Sequence, residues 1–189
     1  MGNARIIIER IATEESLRKW ATARELAEVE PFSAESRRCE VLAWRAIVRR
    51  ELGQEVNIFY DEYGAPKVNN PDAYISVSHS REFVAVAIAD APCAIDIESA
   101  ERNFRKISSR YLSEYEQALA EQYDIFAEMW CAKEALYKYH SKGGLDLVKH
   151  IVITDYRATE GVLIASILGG EPIKVSTYRQ EQLVVAVVS

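Results

Sequence analysis

The sequence predicts an α+β protein built from two halves that repeat one order of elements. Helical segments are followed by strand-like segments in residues 1–98, and the same order returns in residues 99–189. Apolar residues make up 49% of the chain and charged residues 28%, which is typical of a globular protein with a sizeable core. The two halves share no convincing residue-level repeat.

The first half is predicted to begin with a strand at Arg5–Ile11. A helix capped by Thr13 follows and ends before Pro31, and a longer helix runs from a cap at Ser33 to a stop at Gly53. One face of this longer helix is apolar, with residues at helical spacing: Val41, Trp44, Val48 and Leu52. Four strand-like segments complete the half: Val56–Tyr60, Ala73–Ser78, Phe83–Ala89 and Ala94–Glu98.

The second half is predicted to contain two helices and then strands. Ser113 and Glu116 form a capping box, and Asp124 is a candidate cap for a helix that ends before Gly143. The strand candidates are Ile151–Asp155, Val162–Leu168, Ile173–Tyr178 and Leu183–Val188.

Charge and cysteine content exclude several classes of protein. The net charge is −6, whereas nucleic-acid binders usually carry a basic excess. The three cysteines form no CxxC or Cys/His cluster, so neither a disulfide scaffold nor a zinc site is indicated and a cytoplasmic location is expected. No stretch approaches the roughly 20 apolar residues of a membrane span.

Two carboxylates are predicted to share one face of a strand. Asp96 and Glu98 are two residues apart in the segment AIDIE, so their side chains point to the same side, about 7 Å apart. Their mutual repulsion favours a hard cation such as Mg²⁺ between them. An acidic outer face of a half-exposed strand is the alternative interpretation.

A third carboxylate lies in the segment WCAKEALYK, residues 130–138. On a helix Glu134 and Lys138 are adjacent, and Trp130 on the same face indicates that this face is partly buried. A buried Glu–Lys pair needs further partners, which a metal ion and a phosphate would supply. A surface ion pair is the alternative. A third segment, SVSHS at residues 76–80, would suit a phosphate or form a polar turn.

The order and spacing of these segments resemble those of the Sfp-type 4′-phosphopantetheinyl transferases. The family signature is a G-K-P turn, an S-H-S segment, a G-[IV]-D-[IV]-E strand and a W-x-x-K-E-[AS]-x-x-K helix. Here the four read GAP, SVSHS, AIDIE and WCAKEALYK, and an arginine-rich helix at 36–49 extends the resemblance. The resemblance implies a monomer with two halves, 1–98 and 99–189, each a helix on an antiparallel sheet. A pseudo-twofold axis would relate the halves, and coenzyme A would bind between them.

The resemblance also implies a reaction and its catalytic residues. The 4′-phosphopantetheine arm of coenzyme A would pass to a serine of an apo carrier protein, and adenosine 3′,5′-bisphosphate would leave. Asp96, Glu98 and Glu134 would hold Mg²⁺. Glu134, directly or through a metal-bound water, would accept the serine proton. Lys138 would pair with a phosphate and with Glu134, and Lys133 would protonate or steady the leaving phosphate.

Family position assigns further residues to the 3′-phosphate of coenzyme A. Ser78 and His79 match the segment that contacts it. An arginine of the long helix also reaches it in the family, and Arg38 is the first choice, with Arg37 and Arg45 as alternatives.

The turn that would pass the adenine departs from the signature. Gly64 and Pro66 match it, but Ala65 replaces the lysine, and Lys67 is expected to substitute for that lysine. Ala94 replaces the glycine that precedes Ile95 and Asp96 in the signature. The added methyl group is tolerable only if the backbone there has an ordinary strand conformation.

The implied partner is an acidic helical carrier of fatty acid, polyketide or nonribosomal peptide synthesis. A locally basic stretch would form its docking edge or else a solvated linker: Arg102, Arg105, Lys106 and Arg110. Two other classes of function remain open. One is a non-catalytic protein that binds coenzyme A or a carrier, and the other is an unrelated Mg²⁺-dependent phosphate enzyme.

Overall fold

A computed structural model describes residues 4–189 as a mixed α+β protein, which confirms the predicted class. The helices are α1 (Glu14–Arg18), α2 (Ala23–Val29), α3 (Glu35–Leu52), α4 (Glu114–Tyr123) and α5 (Phe126–His140), with a 3-10 helix at Arg105–Arg110. The strands of the first half are β1 (Arg5–Arg10), β2 (Ile58–Tyr60), β3 (Pro66–Val68), β4 (Tyr74–Ser80) and β5 (Phe83–Ala89). The remaining strands are β6 (Ala94–Ser99), β7 (Ile151–Arg157), β8 (Val162–Ile167), β9 (Ile173–Gln180) and β10 (Leu183–Val188).

Two antiparallel sheets form the centre of the molecule, in the orders β1-β5-β4 and β6-β10-β9-β8-β7. Alternate residues of β5 pack on opposite sides, because Val84 and Val86 join the core under α3 while Ala85 and Ala87 face β6 and β10. The far side of the larger sheet carries a third core under α5. Strands β2 and β3 form a separate hairpin beside β4.

Strand β6 connects the two halves. It hydrogen-bonds to β10 in the larger sheet, and the expected division between residues 98 and 99 falls inside it. Its other edge faces β4, where serine side chains take the place of a neighbouring strand: the Ile95 N–H donates to Ser76 Oγ and the Ile97 N–H to Ser78 Oγ. The strand that carries Asp96 and Glu98, predicted as part of the first half, therefore lies where the two sheets meet.

The predicted helix after Thr13 is wrong in one respect, because it is two helices. Thr22 and Glu25 form a capping box that starts α2, and the T-x-x-E spacing in the sequence is the signal for it. The predicted capping box of Ser113 and Glu116 is confirmed. The backbone of Asp124 has a left-handed conformation, with φ 54°. Asp124 therefore ends α4 and does not cap α5 as predicted. None of the helices in residues 4–189 has the length and apolar character of a membrane span.

Candidate active site

A cavity of about 600 Å³ opens between the β2–β3 hairpin, β4 and the C-terminal end of α5. The hairpin contributes Gly64, Pro66 and Lys67 to its wall, and α5 contributes Lys138. Four aromatic residues also line it: Tyr63, Tyr74, Tyr137 and Tyr139. The structure thus brings the predicted turn and the predicted lysine together, although they are far apart in the sequence.

Asp96 lies beside this cavity and is buried. Its Oδ1 accepts hydrogen bonds from Lys138 Nζ at 2.7 Å and from Ser78 Oγ at 2.8 Å. Its Oδ2 is also buried and has no partner among the described residues. A buried carboxylate oxygen without a donor is unfavourable unless a cation or water satisfies it.

Glu98 points to the same side of β6 as Asp96, toward α5, as the strand periodicity predicts. Its Oε1 accepts hydrogen bonds from Trp130 Nε1 at 3.1 Å and from the Arg102 guanidinium at 2.7 Å. Burial raises the pKa of Glu98, Arg102 opposes this, and the charge of Asp96 raises it further. The two strand carboxylates therefore repel each other, as the sequence predicts.

Glu134 completes the cluster from α5. Burial raises the pKa of Glu134, and the charges of Asp96 and Glu98 add to this effect while Lys138 opposes it. A divalent cation would relieve the repulsion and satisfy the free Asp96 oxygen. An all-oxygen donor set is the one that Mg²⁺ prefers, so these residues fit that ion.

A tighter group of potential ligands, Glu14, Glu35 and Cys39, lies within 4.8 Å elsewhere in residues 4–189. It has no comparable need for a cation, because Glu14 is already paired with Arg38 and Arg18. The oxygens of the Asp96 cluster are spaced more widely. Coordination of one ion there requires small side-chain movements or bridging water.

The structure separates Ser78 from His79. The Ser78 hydroxyl is buried, donates its one O–H to Asp96 and accepts from the Ile97 N–H. In this arrangement it has no further O–H to donate to the phosphate that the family position implies. His79 is exposed on the opposite side of β4, and a terminal nitrogen of Arg37 lies 3.4 Å from its Nε2.

Of the three candidate arginines, Arg37 lies beside His79, and it also pairs with Glu40 at 2.9 Å. Arg38 is tied to Glu14 at 2.8 Å and to backbone carbonyls that precede α3. Arg45 is buried against carboxylates of α2. One residue on a helix turns the side chain by about 100°, so a shift of one position decides which arginine faces β4.

Lys133 is not part of the carboxylate cluster, so the structure does not support its expected contact with a leaving phosphate. Its side chain is 0% exposed, and its Nζ contacts Glu116 Oε1 at 2.7 Å and the carbonyls of Leu147 and Ile151 at 2.7 and 2.8 Å. Burial lowers the pKa of Lys133, and Glu116 opposes that shift. Its role in this arrangement is to fix α5 to α4 and β7.

The two departures from the family signature, at Ala94 and Ala65, lie in different surroundings. Ala94 pairs with Val188 in regular antiparallel strand and is fully buried, so its methyl group fits. Lys67 lines the cavity beside Ala65, with its Nζ 3.5 Å from Asp61. Its ammonium, paired with Asp61, lies on the cavity wall where the family lysine is missing.

The pairing of Arg102 is a feature that the sequence pattern did not predict. That pattern suggests a docking edge or a solvated linker, whereas the structure pairs Arg102 with Glu98. The spacing of four residues between them was a signal for a pair, but it has that meaning only in helical or turn conformation. Arg105 is also paired, with Glu121 and Asp124.

Comparison with known proteins agrees with this site. Residues 92–188 match the model of the 4′-phosphopantetheinyl transferase superfamily. The 4′-phosphopantetheinyl transferase Sfp of Bacillus subtilis (strain 168) is 33% identical over 109 residues, which are 52% of this chain and 49% of the relative. The transferase psf-1 of Bacillus pumilus is 34% identical over 146 residues, which are 64% of this chain and 63% of the relative.

A third relative, the transferase gsp of Aneurinibacillus migulanus, is 34% identical over 110 residues, 51% of this chain and 46% of the relative. The chain spans about half the length of most of the curated relatives it matches. The family match contains β6 and α5, and with them Asp96, Glu98, Glu134 and Lys138. The chain belongs to the 4′-phosphopantetheinyl transferase superfamily.

Proposed function

We propose that this protein transfers the 4′-phosphopantetheine arm of coenzyme A to a serine hydroxyl of an acyl or peptidyl carrier protein, in a Mg²⁺-dependent reaction. The observation that carries the proposal is the juxtaposition of three carboxylates and Lys138 at the edge of a large cavity. The segment that contains them is the one that matches the family.

The carboxylates of Asp96, Glu98 and Glu134 would hold Mg²⁺. When bound, this ion supplies neutralising charge to the pyrophosphate of coenzyme A and to the leaving group. Lys138 lies between Asp96 and the cavity, with Nζ bonded to Asp96 and to the Ile95 carbonyl. A third donor position on this ammonium is free to bind a phosphate oxygen.

Glu134 is suited to accept the proton of the attacking serine, directly or through water. Glu134 and Lys138 are four residues apart on α5, so this carboxylate lies beside the ammonium that would bind the phosphate. The serine oxygen would form a bond to the phosphorus that carries the pantetheine arm. The bond from that phosphorus to adenosine 3′,5′-bisphosphate would break, and the bisphosphate would leave with the bonding electron pair.

The cavity accommodates the rest of coenzyme A in this proposal. Gly64 and Pro66 would border the adenine, and Lys67 would contribute the charge that Ala65 lacks. The exposed Arg37 guanidinium, which pairs with Glu40 at 2.9 Å and has the His79 imidazole beside it, would bind the 3′-phosphate. We therefore propose Arg37 and His79 for this phosphate, rather than Arg38, Arg45 or Ser78.

An acidic carrier domain would dock near the 3-10 helix. Lys106 and Arg110 of this helix are exposed and form no ion pair among residues 4–189. We also propose a monomer in which two sheet-and-helix halves are related by a pseudo-twofold axis. Coenzyme A as donor and three unpaired cysteines agree with a cytoplasmic location.

Incubation with coenzyme A, Mg²⁺ and a panel of apo carriers, measured by intact mass, tests the proposal. At least one carrier should gain the mass of one phosphopantetheine arm. Glu134→Ala should abolish this gain in a folded protein, whereas Glu171→Ala in an exposed turn should not. Binding of coenzyme A without transfer to any carrier would favour the non-catalytic alternative. Turnover of a phosphate ester without coenzyme A would favour the unrelated enzyme.

A further inference from the structure

We infer that Arg102 and Trp130 are positioning residues that hold the Glu98 carboxylate in the orientation required for the metal ion. The inference rests on the proposed function, because it concerns the same metal site. Neither side chain would touch the substrate or the ion, so each would act through Glu98.

Both donors bind the same oxygen of Glu98. The Trp130 indole N–H and the Arg102 guanidinium donate to Oε1, at 3.1 and 2.7 Å. No donor in residues 4–189 bonds to Oε2. One oxygen of the ligand is thereby fixed, and the other remains available to a cation.

The donors are themselves held by aromatic packing. The Arg102 guanidinium lies over the rings of Phe104 and Trp130, at 4.8 and 5.3 Å from their centroids. Phe104 stacks on Trp130 at 5.6 Å, and Tyr111 meets the indole edge-on at 5.0 Å. The Tyr111 hydroxyl is anchored to the Phe126 carbonyl at 3.0 Å. The indole therefore has little freedom to turn its N–H away from Glu98.

Asp96 shows the same arrangement. Two donors, Ser78 and Lys138, engage its Oδ1, and its buried Oδ2 has no partner. Outer donors of this kind fix the orientation of metal ligands before the metal binds. The positive charge of Arg102 opposes a cation, so a variant of Arg102 changes orientation and charge together, whereas Trp130 orients Glu98 through a neutral N–H.

Trp130→Phe tests the inference, because it removes the indole N–H and keeps an aromatic ring in the stack. Arg102→Met removes the second donor at a half-exposed position and keeps the aliphatic stem, and Trp20→Phe in the first half is the matched control. The dissociation constant for Mn²⁺, measured by calorimetry with coenzyme A present, is expected to rise about tenfold in the first two variants and to stay unchanged in the control. In the ¹H–¹⁵N spectrum, Glu98→Ala is expected to move the indole N–H resonance of Trp130 and leave those of Trp20 and Trp44 in place.

The outcomes separate this inference from the function on which it rests. Unchanged Mn²⁺ affinity in folded Trp130→Phe and Arg102→Met, with carrier modification by the wild type intact, overturns the positioning roles alone. If Trp130→Phe does not fold, the Mn²⁺ affinity of Arg102→Met and the indole resonance of Trp130 decide. Wild-type protein that modifies no carrier contradicts the proposed function itself.

Discussion

Replacing Lys133 with methionine is expected to reduce stability without reducing the catalytic rate of the folded protein. The ammonium is fully buried and bonded to Glu116 and two backbone carbonyls. Methionine fills a similar volume but leaves the Glu116 carboxylate, also 0% exposed, without its counter-charge. Removal of one member of a buried ion pair costs about 3–5 kcal/mol. A loss of about 4 kcal/mol, the middle of this range, lowers the ratio of folded to unfolded protein by roughly a thousandfold.

Urea unfolding and an initial-rate assay on the same samples measure the two effects. The free energy of unfolding of Lys133→Met should fall by about 4 kcal/mol, while its rate of carrier modification per folded molecule at low temperature stays within about twofold of the wild type. Lys138→Met is the matched variant, because Lys138 is partly exposed and faces the cavity. It should lose activity with a smaller loss of stability. A folded Lys133→Met protein with its rate reduced a hundredfold would refute this reasoning and restore a catalytic role to Lys133.

Two further predictions concern the first half of the chain. Arg37→Met should raise the KM for coenzyme A about tenfold and abolish the preference for coenzyme A over 3′-dephospho-coenzyme A. Arg38→Met is the control and should keep that preference. If Arg37→Met still discriminates between the two substrates, Arg37 does not contact the 3′-phosphate. Burial raises the pKa of Glu25, but the hydrogen bonds from Arg49 and Thr22 and the charges of Arg49 and Arg45 together outweigh burial, so the pKa lies below the ordinary 4.5. The stabilisation from this lowered pKa is therefore complete above pH 4.5 and is lost as the pH falls through the lowered value. In Glu25→Gln, the midpoint of urea unfolding should fall less than in the wild type as the pH is lowered. An identical pH dependence in the variant and the wild type would show that Glu25 does not contribute to acid unfolding.

Local sequence patterns predicted the elements and one face of the site well. The alternation of AIDIE placed Asp96 and Glu98 on one side of a strand, and both side chains meet α5. The strand FVAVAIA is nearly all apolar, as a strand covered on both faces would be, and all but one of its residues are buried. Such features depend on periodicity, which the sequence carries directly.

Partners that are distant in the sequence could not be predicted in this way. Lys133 and Glu134 are neighbours on one helix, yet they face opposite environments because the helix turns by about 100° between them. Only the packing of α4 and β7 shows that Lys133 meets Glu116 and the Ile151 carbonyl. The same holds for Arg37, whose approach to His79 depends on how α3 lies against β4.

Two serines of β4 differ in one hydrogen bond, which separates a role in folding from a role at the metal site. Ser76 accepts from the Ile95 N–H at 3.1 Å, and Ser78 accepts from the Ile97 N–H at 3.2 Å. Only Ser78 also donates to Asp96, at 2.8 Å. Alanine at either position leaves a buried N–H at the β6 edge without an acceptor, and each loss costs about 1–3 kcal/mol.

Ser76→Ala and Ser78→Ala should therefore lower the free energy of unfolding by similar amounts, but only Ser78→Ala should weaken Mn²⁺ binding. Titration without coenzyme A is the suitable measurement, because Ser76 borders the cavity. An Asp96 carboxylate released from Ser78 can rotate, and the orientation of its free oxygen is then lost. Equal weakening in both variants would show that the metal site depends on the β6 edge as a whole. A loss confined to Ser78→Ala would assign the serine of the SHS segment to the carboxylate, rather than to a phosphate of coenzyme A.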